Sequence, residues 1–204
     1  DIPHDYFKRV CEFDIPASRE YAIGMVFLPK NKNQYNFCRE TFEKEIKAQG
    51  LAILGWRKVP VDSSQLGEIA LASEPNIEQI FVGKTDELEE NIFKAKLYAA
   101  RKITEHAIIN SKMSESSYFY LSSFSNMTLI YKGIIMPEDI GPYYLDLQQK
   151  DLVTRLALVH QRFSTNTMPS WELAQPFRYI CQNGEINTLR GNVSRMRVRE
   201  EIMK

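Results

Sequence analysis

Three short runs of mainly apolar residues in the first half of the chain predict β-strands. Residues that favour turns bound each run, and Pro29 and Pro60 close the first and second. The first of these runs is predicted to be a buried strand. The predicted strands span residues 21–28, 51–59 and 77–82.

Two segments repeat apolar residues with the period of a helix. Cys38, Phe42 and Ile46 follow one another at intervals of four among Glu and Lys, which predicts an amphipathic helix that ends at Gly50. A longer helix is predicted over residues 86–110, with its first residue, an aspartate, as the N-terminal cap. Its predicted apolar stripe comprises Leu88, Ile92, Ala95, Ala99 and Ile103.

Short alternating stretches replace these patterns in the second half of the chain. Residues 118–124 and 128–133 are predicted to form a hairpin around a Ser-Asn turn. Residues 156–163 carry apolar groups on both faces of a predicted strand, which indicates a sheet covered on both sides. Residues 177–183 are predicted to form a second such strand, and a helix is predicted to follow it.

The composition indicates one globular domain, residues 1–204. Of these residues 44% are hydrophobic, which is enough for a substantial core, and no internal repeat or linker divides the chain. Lys plus Arg and Asp plus Glu number 26 each, so no net positive charge favours nucleic acid as a partner. No apolar run approaches the roughly 20 residues that span a bilayer. Three widely spaced cysteines fit neither a disulfide framework nor a zinc site, and we expect a cytoplasmic protein.

A cluster of polar residues lies at the end of the predicted strand 156–163. That strand delivers Arg162 to the point where hydroxyl and amide residues accumulate, as Ser-Thr-Asn-Thr at 164–167. A guanidinium held there could grip a carboxylate through two parallel hydrogen bonds. An internal ion pair with Asp or Glu is the alternative, and the residues alone leave both open.

A second polar segment begins with Asn183 and Gly184. The Asn amide and the Gly backbone N–H are two donors that could converge on one oxygen, as in an oxyanion hole. A plain turn is the alternative, because Asn-Gly is the commonest tight-turn dipeptide. Cys181 lies among aromatic residues just before them and is predicted to be a packed thiol rather than a nucleophile.

Longer stretches of the sequence carry a more specific resemblance. The segment His-Gln-Arg-Phe-Ser-Thr-Asn-Thr-Met-Pro-Ser-Trp at 160–171 resembles the substrate-binding segment of class II glutamine amidotransferase domains, in the form that glutamate synthases carry. The segment Asn-Gly-Glu-Ile-Asn-Thr-Leu-Arg-Gly-Asn at 183–192 is similar to their oxyanion segment. Four further segments resemble the same family: 2–7, 55–61, 67–72 and 130–133.

The resemblance implies an α+β fold of the N-terminal nucleophile hydrolase type. This fold is a four-layer αββα sandwich, with two central sheets between helical layers, here expected to be incomplete at both ends. The resemblance further implies that Arg162 binds the α-carboxylate of L-glutamine, and that Thr165 and Asn166 line the substrate site. It also implies that Asn183 and Gly184 stabilise the oxyanion.

In this family the nucleophile is a cysteine at the mature N-terminus, and its own α-amino group acts as the base. An α-amine has an ordinary pKa of about 7.7–8.0, which suits this role near neutral pH. Residue 1 is Asp, and the backbone nitrogen of Cys11 is an amide without a basic lone pair. We therefore expect the nucleophile upstream of residue 1, and the acidic residue for the substrate amino group beyond Lys204. On that basis residues 1–204 alone are expected to be inactive, and Gln182 stands where the family usually has His.

The resemblance implies a larger enzyme around this domain. Ammonia would pass to a synthase domain of the same polypeptide and react there with 2-oxoglutarate. FMN, an iron–sulfur cluster and NADPH, NADH or ferredoxin would complete glutamate formation, and no cofactor or metal is expected within residues 1–204. A small reductase subunit is a further candidate partner, and a plastid is the expected location in a plant.

Three other functions fit parts of the sequence. A non-catalytic relative with an assembly or regulatory role is one, although retention of Arg162, Asn183 and Gly184 argues against it. A class II amidotransferase of another pathway is the second, and residues 188–192 favour glutamate synthase instead. Nucleic-acid binding is the third, opposed by the zero net charge and by two neighbouring glutamates. It would use the arginines of the last helix: Arg190, Arg195, Arg197 and Arg199.

Overall fold

The structure is a computed structural model that describes residues 2–85, 88–161, 168–178, 180 and 188–202. Its strands are β1 (Tyr21–Leu28), β2 (Ala52–Lys58), β3 (Asn76–Gly83) and β4 (Tyr120–Ser125). Its helices are α1 (His4–Val10), α2 (Lys32–Ala48), α3 (Glu68–Ala72), α4 (Glu90–Asn110), α5 (Ile140–Tyr143) and α6 (Leu189–Ile202). Short 3-10 turns occupy Ser63–Gln65, Ser116–Tyr118 and Leu145–Gln148.

The strands form an antiparallel sheet in the order β2–β3–β1–β4, and α2 and α4 pack together over one face of it. The other face is covered by α1, α5 and irregular segments. Helices and antiparallel sheet in one chain confirm the α+β class. The described residues thus supply one sheet, the helical layer of α2 and α4 on one face, and the segments that cover the other face.

Strand β1 lies inside the sheet and is buried on both faces. Ala22, Val26 and Leu28 point into the core under α2 and α4, whereas Met25 and Phe27 point to the opposite face. All eight residues are buried, as the apolar run predicts. The register is given by the opposed pairs Tyr21–Gly83 for β1–β3 and Ile23–Ser125 for β1–β4.

Helix α2 confirms the prediction made from its spacing. Cys38, Phe42 and Ile46 are its three buried residues, because intervals of four place them on one face. The side chain of Asn31 caps the helix by accepting two backbone N–H groups of the first turn, at 3.0 and 3.2 Å. Gly50 follows the last turn with a φ of 71°, a conformation that glycine adopts without strain.

Helix α4 begins at Glu90, later than predicted, and the aspartate expected to cap it, Asp86, lies outside the described residues. The predicted apolar stripe is wrong, since Ile92 and Ile103 are 47% and 45% exposed. The true buried stripe is displaced by one position, a rotation of about 100°. Both sets have the helical period, but the buried one contains the larger Phe93 and Leu97 and therefore removes more apolar area from water. That buried stripe comprises Phe93, Leu97, Ala100, Thr104 and Ile108.

The predicted hairpin is only half correct. Strand β4 forms, but residues 128–133 are not a strand. The hydroxyl of Ser123 accepts the backbone N–H of Ile130 at 3.2 Å, and the hydroxyl of Ser122 donates to the Ile130 carbonyl at 3.1 Å. Serine side chains therefore satisfy the backbone groups that a strand ladder would have paired.

The two later strands are not formed in the described residues. Residues 156–161 have no regular structure, and Leu156, Leu158 and Val159 are exposed. None of the four described strands pairs with this segment. Phe177 and Ile180 exchange two backbone hydrogen bonds of 2.8 Å, which makes a tight turn instead of a strand. Residues 162–163, 179 and 181–183, which these predictions also cover, lie outside the described residues.

Helix α6 confirms the last predicted element. It runs from Leu189 to Ile202 and is exposed along its whole length. Among the described helices, none is long and apolar enough to cross a membrane.

Candidate functional site

The residues predicted to act on glutamine lie outside the described residues. They are Arg162, Thr165, Asn166, Asn183 and Gly184, together with their neighbours Cys181 and Gln182. The structure describes the chain that continues from the first of these segments, residues 168–178. The described part of the candidate site therefore consists of residues 168–178 and the side chains that contact them.

Trp171 fixes the end of the predicted substrate-binding segment. Its side chain is buried, and its indole N–H donates to the backbone carbonyl of Ala70 at 3.3 Å. The Phe27 ring of β1 meets the indole edge-on, with the ring centroids 6.1 Å apart, and the Tyr143 ring of α5 lies 5.7 Å away. A large aromatic side chain buried on three sides, with its polar atom satisfied, is a strong anchor for an irregular segment.

Gly133 makes room for that anchor. A β-carbon at this position would lie 2.4 Å from Cζ3 of the Trp171 indole, closer than any side chain can approach. Only glycine allows the backbone to pass so near the ring. Three of the family-like segments, 67–72, 130–133 and 160–171, therefore meet at Trp171.

Lys132 is a buried cation beside the same segment, only 1% exposed. Its ammonium donates to the backbone carbonyls of Glu172 at 2.8 Å and Ala174 at 2.9 Å, and lies 3.3 Å from the Tyr120 hydroxyl oxygen. Burial first, and then the nearby Arg178, lower the pKa of Lys132 to about 7, and the Glu172 carboxylate opposes this change.

A second polar network lies buried under α1. The Asp146 carboxylate accepts two hydrogen bonds from the Arg57 guanidinium, at 2.7 and 2.8 Å. It also accepts the hydroxyl of Tyr6 at 2.6 Å and that of Tyr131 at 2.8 Å. Burial alone would raise the pKa of Asp146, but these donors, Arg57 first, hold it below its ordinary value.

This network joins two further segments that resemble the family, 2–7 through Tyr6 and 55–61 through Arg57, to the segment 130–133 through Tyr131. Asp146 is fully buried, with four hydrogen bonds to its two oxygens. A carboxylate so occupied has no lone pair left for a substrate. We therefore assign the network to holding these segments together.

The two described thiols lack the properties of a nucleophile. Burial raises the pKa of Cys11 to about 11, with Arg57 lowering it and Asp146 raising it by smaller amounts. Burial alone raises the pKa of Cys38 to about 12. Both are therefore protonated near neutral pH, and the protonated thiol is a poor nucleophile.

A cleft of about 160 Å³ opens beside Trp171. The residues that line it include Phe27, Tyr120, Ser170 and Glu172, with no Lys or Arg among the described lining. Such a surface offers rings and hydroxyls, but its described residues supply no cation for an α-carboxylate.

Lys132 and Arg57 lie in the segments 130–133 and 55–61 that resemble the family, but the resemblance does not predict their contacts. A signal was present for Lys132, because it is the one charged residue in the apolar run 129–136. A charge in such a run is either exposed or buried with partners. Its partners, the carbonyls of Glu172 and Ala174, are about 40 positions away along the chain, and no pattern reveals them.

Comparison with known proteins identifies the family. A family model described as "Glutamine amidotransferases class-II" matches residues 1–204. The chain is 42% identical to "Glutamate synthase [NADPH] large chain" of Bacillus subtilis, over 98% of this chain and 13% of that protein. It is 42% identical to "Glutamate synthase [NADH]" of Saccharomyces cerevisiae, over 99% of this chain and 10% of that protein.

A plant relative extends the comparison. The chain is 37% identical to "Ferredoxin-dependent glutamate synthase 1, chloroplastic/mitochondrial" of Arabidopsis thaliana, over 100% of this chain and 13% of that protein. The chain thus spans between a tenth and a seventh of the length of these relatives. It belongs to the class II glutamine amidotransferases and is similar to one portion of glutamate synthases.

Proposed function

We propose that this chain is the glutamine-hydrolysing portion of a glutamate synthase. One observation carries the proposal: the class II glutamine amidotransferase match extends over residues 1–204 and so includes both predicted site segments. The named relatives are all glutamate synthases, and their names give NADPH, NADH and ferredoxin as electron donors. This domain is therefore common to enzymes with different reductants.

The reaction that we propose converts L-glutamine and water into glutamate and ammonia. A cysteine thiolate attacks the side-chain carboxamide carbon, and the carbonyl oxygen becomes an oxyanion. As this intermediate collapses, the amide nitrogen takes up the proton that the thiol gave up and leaves as ammonia, and water then hydrolyses the remaining thioester to the carboxylate and the free thiol. On this proposal Asn183 and Gly184 donate to the oxyanion through the side-chain amide and the backbone N–H.

Substrate recognition is proposed for the other segment. Arg162 would hold the α-carboxylate of glutamine with two parallel hydrogen bonds, and Thr165 and Asn166 would line the site. The anchoring of Trp171 supports this proposal, because it fixes the chain close after these residues. A binding segment held at one end loses less conformational freedom when its ligand arrives.

The activity of the whole protein is part of the proposal. Ammonia would react with 2-oxoglutarate in a synthase domain of the same polypeptide, with a small reductase subunit as a candidate partner. FMN, an iron–sulfur cluster and the reductant would belong to that part of the protein. We place the protein in the cytoplasm, or in the plastid if it comes from a plant.

The proposal is tested on the full-length protein with two nitrogen sources. Glutamate formation from 2-oxoglutarate is measured with L-glutamine or with ammonia, before and after treatment with a thiol alkylator that mimics glutamine. We expect the alkylator to abolish the glutamine-dependent reaction and to spare the ammonia-dependent one, because ammonia bypasses the hydrolysis site. A protein that releases no ammonia from glutamine before treatment would overturn the proposal.

A further inference from the structure

Lys132 has an unusually complete set of partners for a buried lysine. An ammonium has three N–H donors, and three oxygens surround this one: two backbone carbonyls and the Tyr120 hydroxyl, at 2.8, 2.9 and 3.3 Å. No salt bridge to a carboxylate accompanies it in the described part of the chain. When Lys132 is protonated, its charge is therefore stabilised by dipoles of the protein. Burial of this charge would be unfavourable without these hydrogen bonds.

Two aromatic rings complete this enclosure. The ammonium nitrogen lies 4.5 Å from the Tyr120 ring centroid and 4.6 Å from that of Phe177. Both distances are within the range in which a cation is attracted to a ring face. Phe177 belongs to 168–178 and Tyr120 to β4, so the cation contacts the irregular segment and the sheet together.

The acceptors of Lys132 belong to a segment that needs donors. Residues 172 and 174 are in neither a helix nor a strand, so no regular ladder serves their carbonyl groups. The Lys132 ammonium donates to both of these carbonyls. The next residue, Gly133, lies against the Trp171 ring. Lys132 and Trp171 therefore hold the same stretch from two sides.

We propose that Lys132 is a positioning residue for glutamine binding, which ties the chain following Arg162, Thr165 and Asn166 to the sheet. This inference rests on the proposed function, since it assigns those residues to the glutamine site. Lys132 does not touch substrate on this account. It fixes the exit of the segment that does, and loss of the tie lets the binding residues occupy a wider range of positions.

The test replaces Lys132 in the full-length protein. Lys132→Met keeps an unbranched apolar stem and removes the ammonium, and Lys44→Met, at an exposed position of α2, is the matched control. We expect the KM for glutamine to rise about 10- to 100-fold, the effect of losing hydrogen bonds from a charged group. The ammonia-dependent reaction and the control should remain at the wild-type level.

The outcomes separate this inference from the proposed function. A folded Lys132→Met protein with wild-type KM for glutamine overturns the positioning role. If that variant does not fold, Lys132→Gln replaces it: the neutral amide is one atom shorter and cannot donate to both carbonyls at the distances of the ammonium, so a wild-type KM in it overturns the role equally. If the unmodified protein hydrolyses no glutamine, the proposed function fails instead. Amide hydrogen exchange then tests the tie alone: it should accelerate at 168–178 in the substituted protein, and unchanged exchange there contradicts it.

Discussion

The indole N–H of Trp171 donates to the backbone carbonyl of Ala70 across 3.3 Å, which joins positions 101 residues apart in the chain. Ala70 is in the short helix α3, and Trp171 closes the segment predicted to bind glutamine. The contact therefore couples the placement of a candidate binding segment to the folding of the first half of the chain. Three predictions about stability follow from such buried contacts, one concerns the described thiols, and two concern the proposed reaction.

Gly133→Ala should displace the Trp171 ring. The added β-carbon would lie 2.4 Å from the indole, and a ring with a bonded N–H and packed neighbours cannot move away freely. We expect the free energy of unfolding to fall by about 1–3 kcal/mol, as for other overpacked cores. Gly141→Ala is the control, because nothing lies within 4 Å of its added β-carbon. Urea denaturation of both variants provides the measurement, and equal losses in the two would refute the packing argument.

Asp146→Asn should destabilise the protein strongly. It leaves the Arg57 guanidinium, 12% exposed, without a counter-charge in the interior. Breaking a buried pair in this way costs about 3–5 kcal/mol. Asp151→Asn removes the partner of Arg9 in an exposed pair and serves as the comparison, with little change expected. Similar stability of the two variants would show that the buried network contributes nothing special.

Acid should act through the same carboxylate. The pKa of Asp146 is lower in the folded protein than its ordinary value of 3.8, so the unfolded chain binds its proton first as the pH falls. The stability that this group contributes is therefore complete above pH 3.8 and is lost below it, as the pH falls through the folded pKa. Wild-type protein should lose more stability than Asp146→Asn over this range. Parallel acid unfolding curves would contradict the assignment.

The regular part of the fold could be predicted because its signals are local. Strand β1 and helix α2 follow from an apolar run and from the spacing of Cys38, Phe42 and Ile46. In α4 two helical stripes compete, and only the packing on the sheet selects Phe93 over Ile92. The serine hydroxyls that replace a strand beside β4, through Ile130, are tertiary contacts without a sequence signal.

The candidate site likewise has residues that sequence motifs predict and supporting contacts that they do not. Arg162 and Asn183 were proposed from their motifs, and both lie outside the described residues, so their roles stay predictions. The support around the site was not predicted, because Lys132 meets the Ala174 carbonyl 42 positions further along the chain. Contacts of that length depend on how the whole chain folds, not on any local pattern.

Alkylation should leave the described thiols largely unmodified. Burial raises the pKa of Cys11 and Cys38 to about 11 and about 12, against about 8.5 for a free cysteine. The thiolate fraction of each near neutral pH is therefore more than about 100-fold lower than that of a free thiol. Iodoacetamide labelling followed by peptide mass analysis should modify both only after unfolding in guanidinium. Rapid labelling of Cys11 in the folded protein would reopen the question of its reactivity.

Arg162→Lys in the full-length protein tests the proposed carboxylate contact. A point charge replaces a two-pronged fork, so binding of glutamine should weaken while the ammonia-dependent reaction continues. We expect a higher KM for glutamine in steady-state assays. An equal loss of both reactions would identify Arg162 as a structural ion-pair partner, the alternative that the sequence left open.

The proposed hydrolysis of glutamine is tested most directly by kcat in Asn183→Ala of the full-length protein. A donor to the oxyanion acts more strongly in the transition state than in the bound substrate, so its loss appears in kcat rather than in KM. We predict that kcat for glutamine hydrolysis falls about 10²- to 10³-fold, or about 3–4 kcal/mol, with KM and the melting temperature nearly unchanged. A near-normal kcat with a lowered melting temperature would mean that Asn183 and Gly184 form only a turn, and would contradict the account.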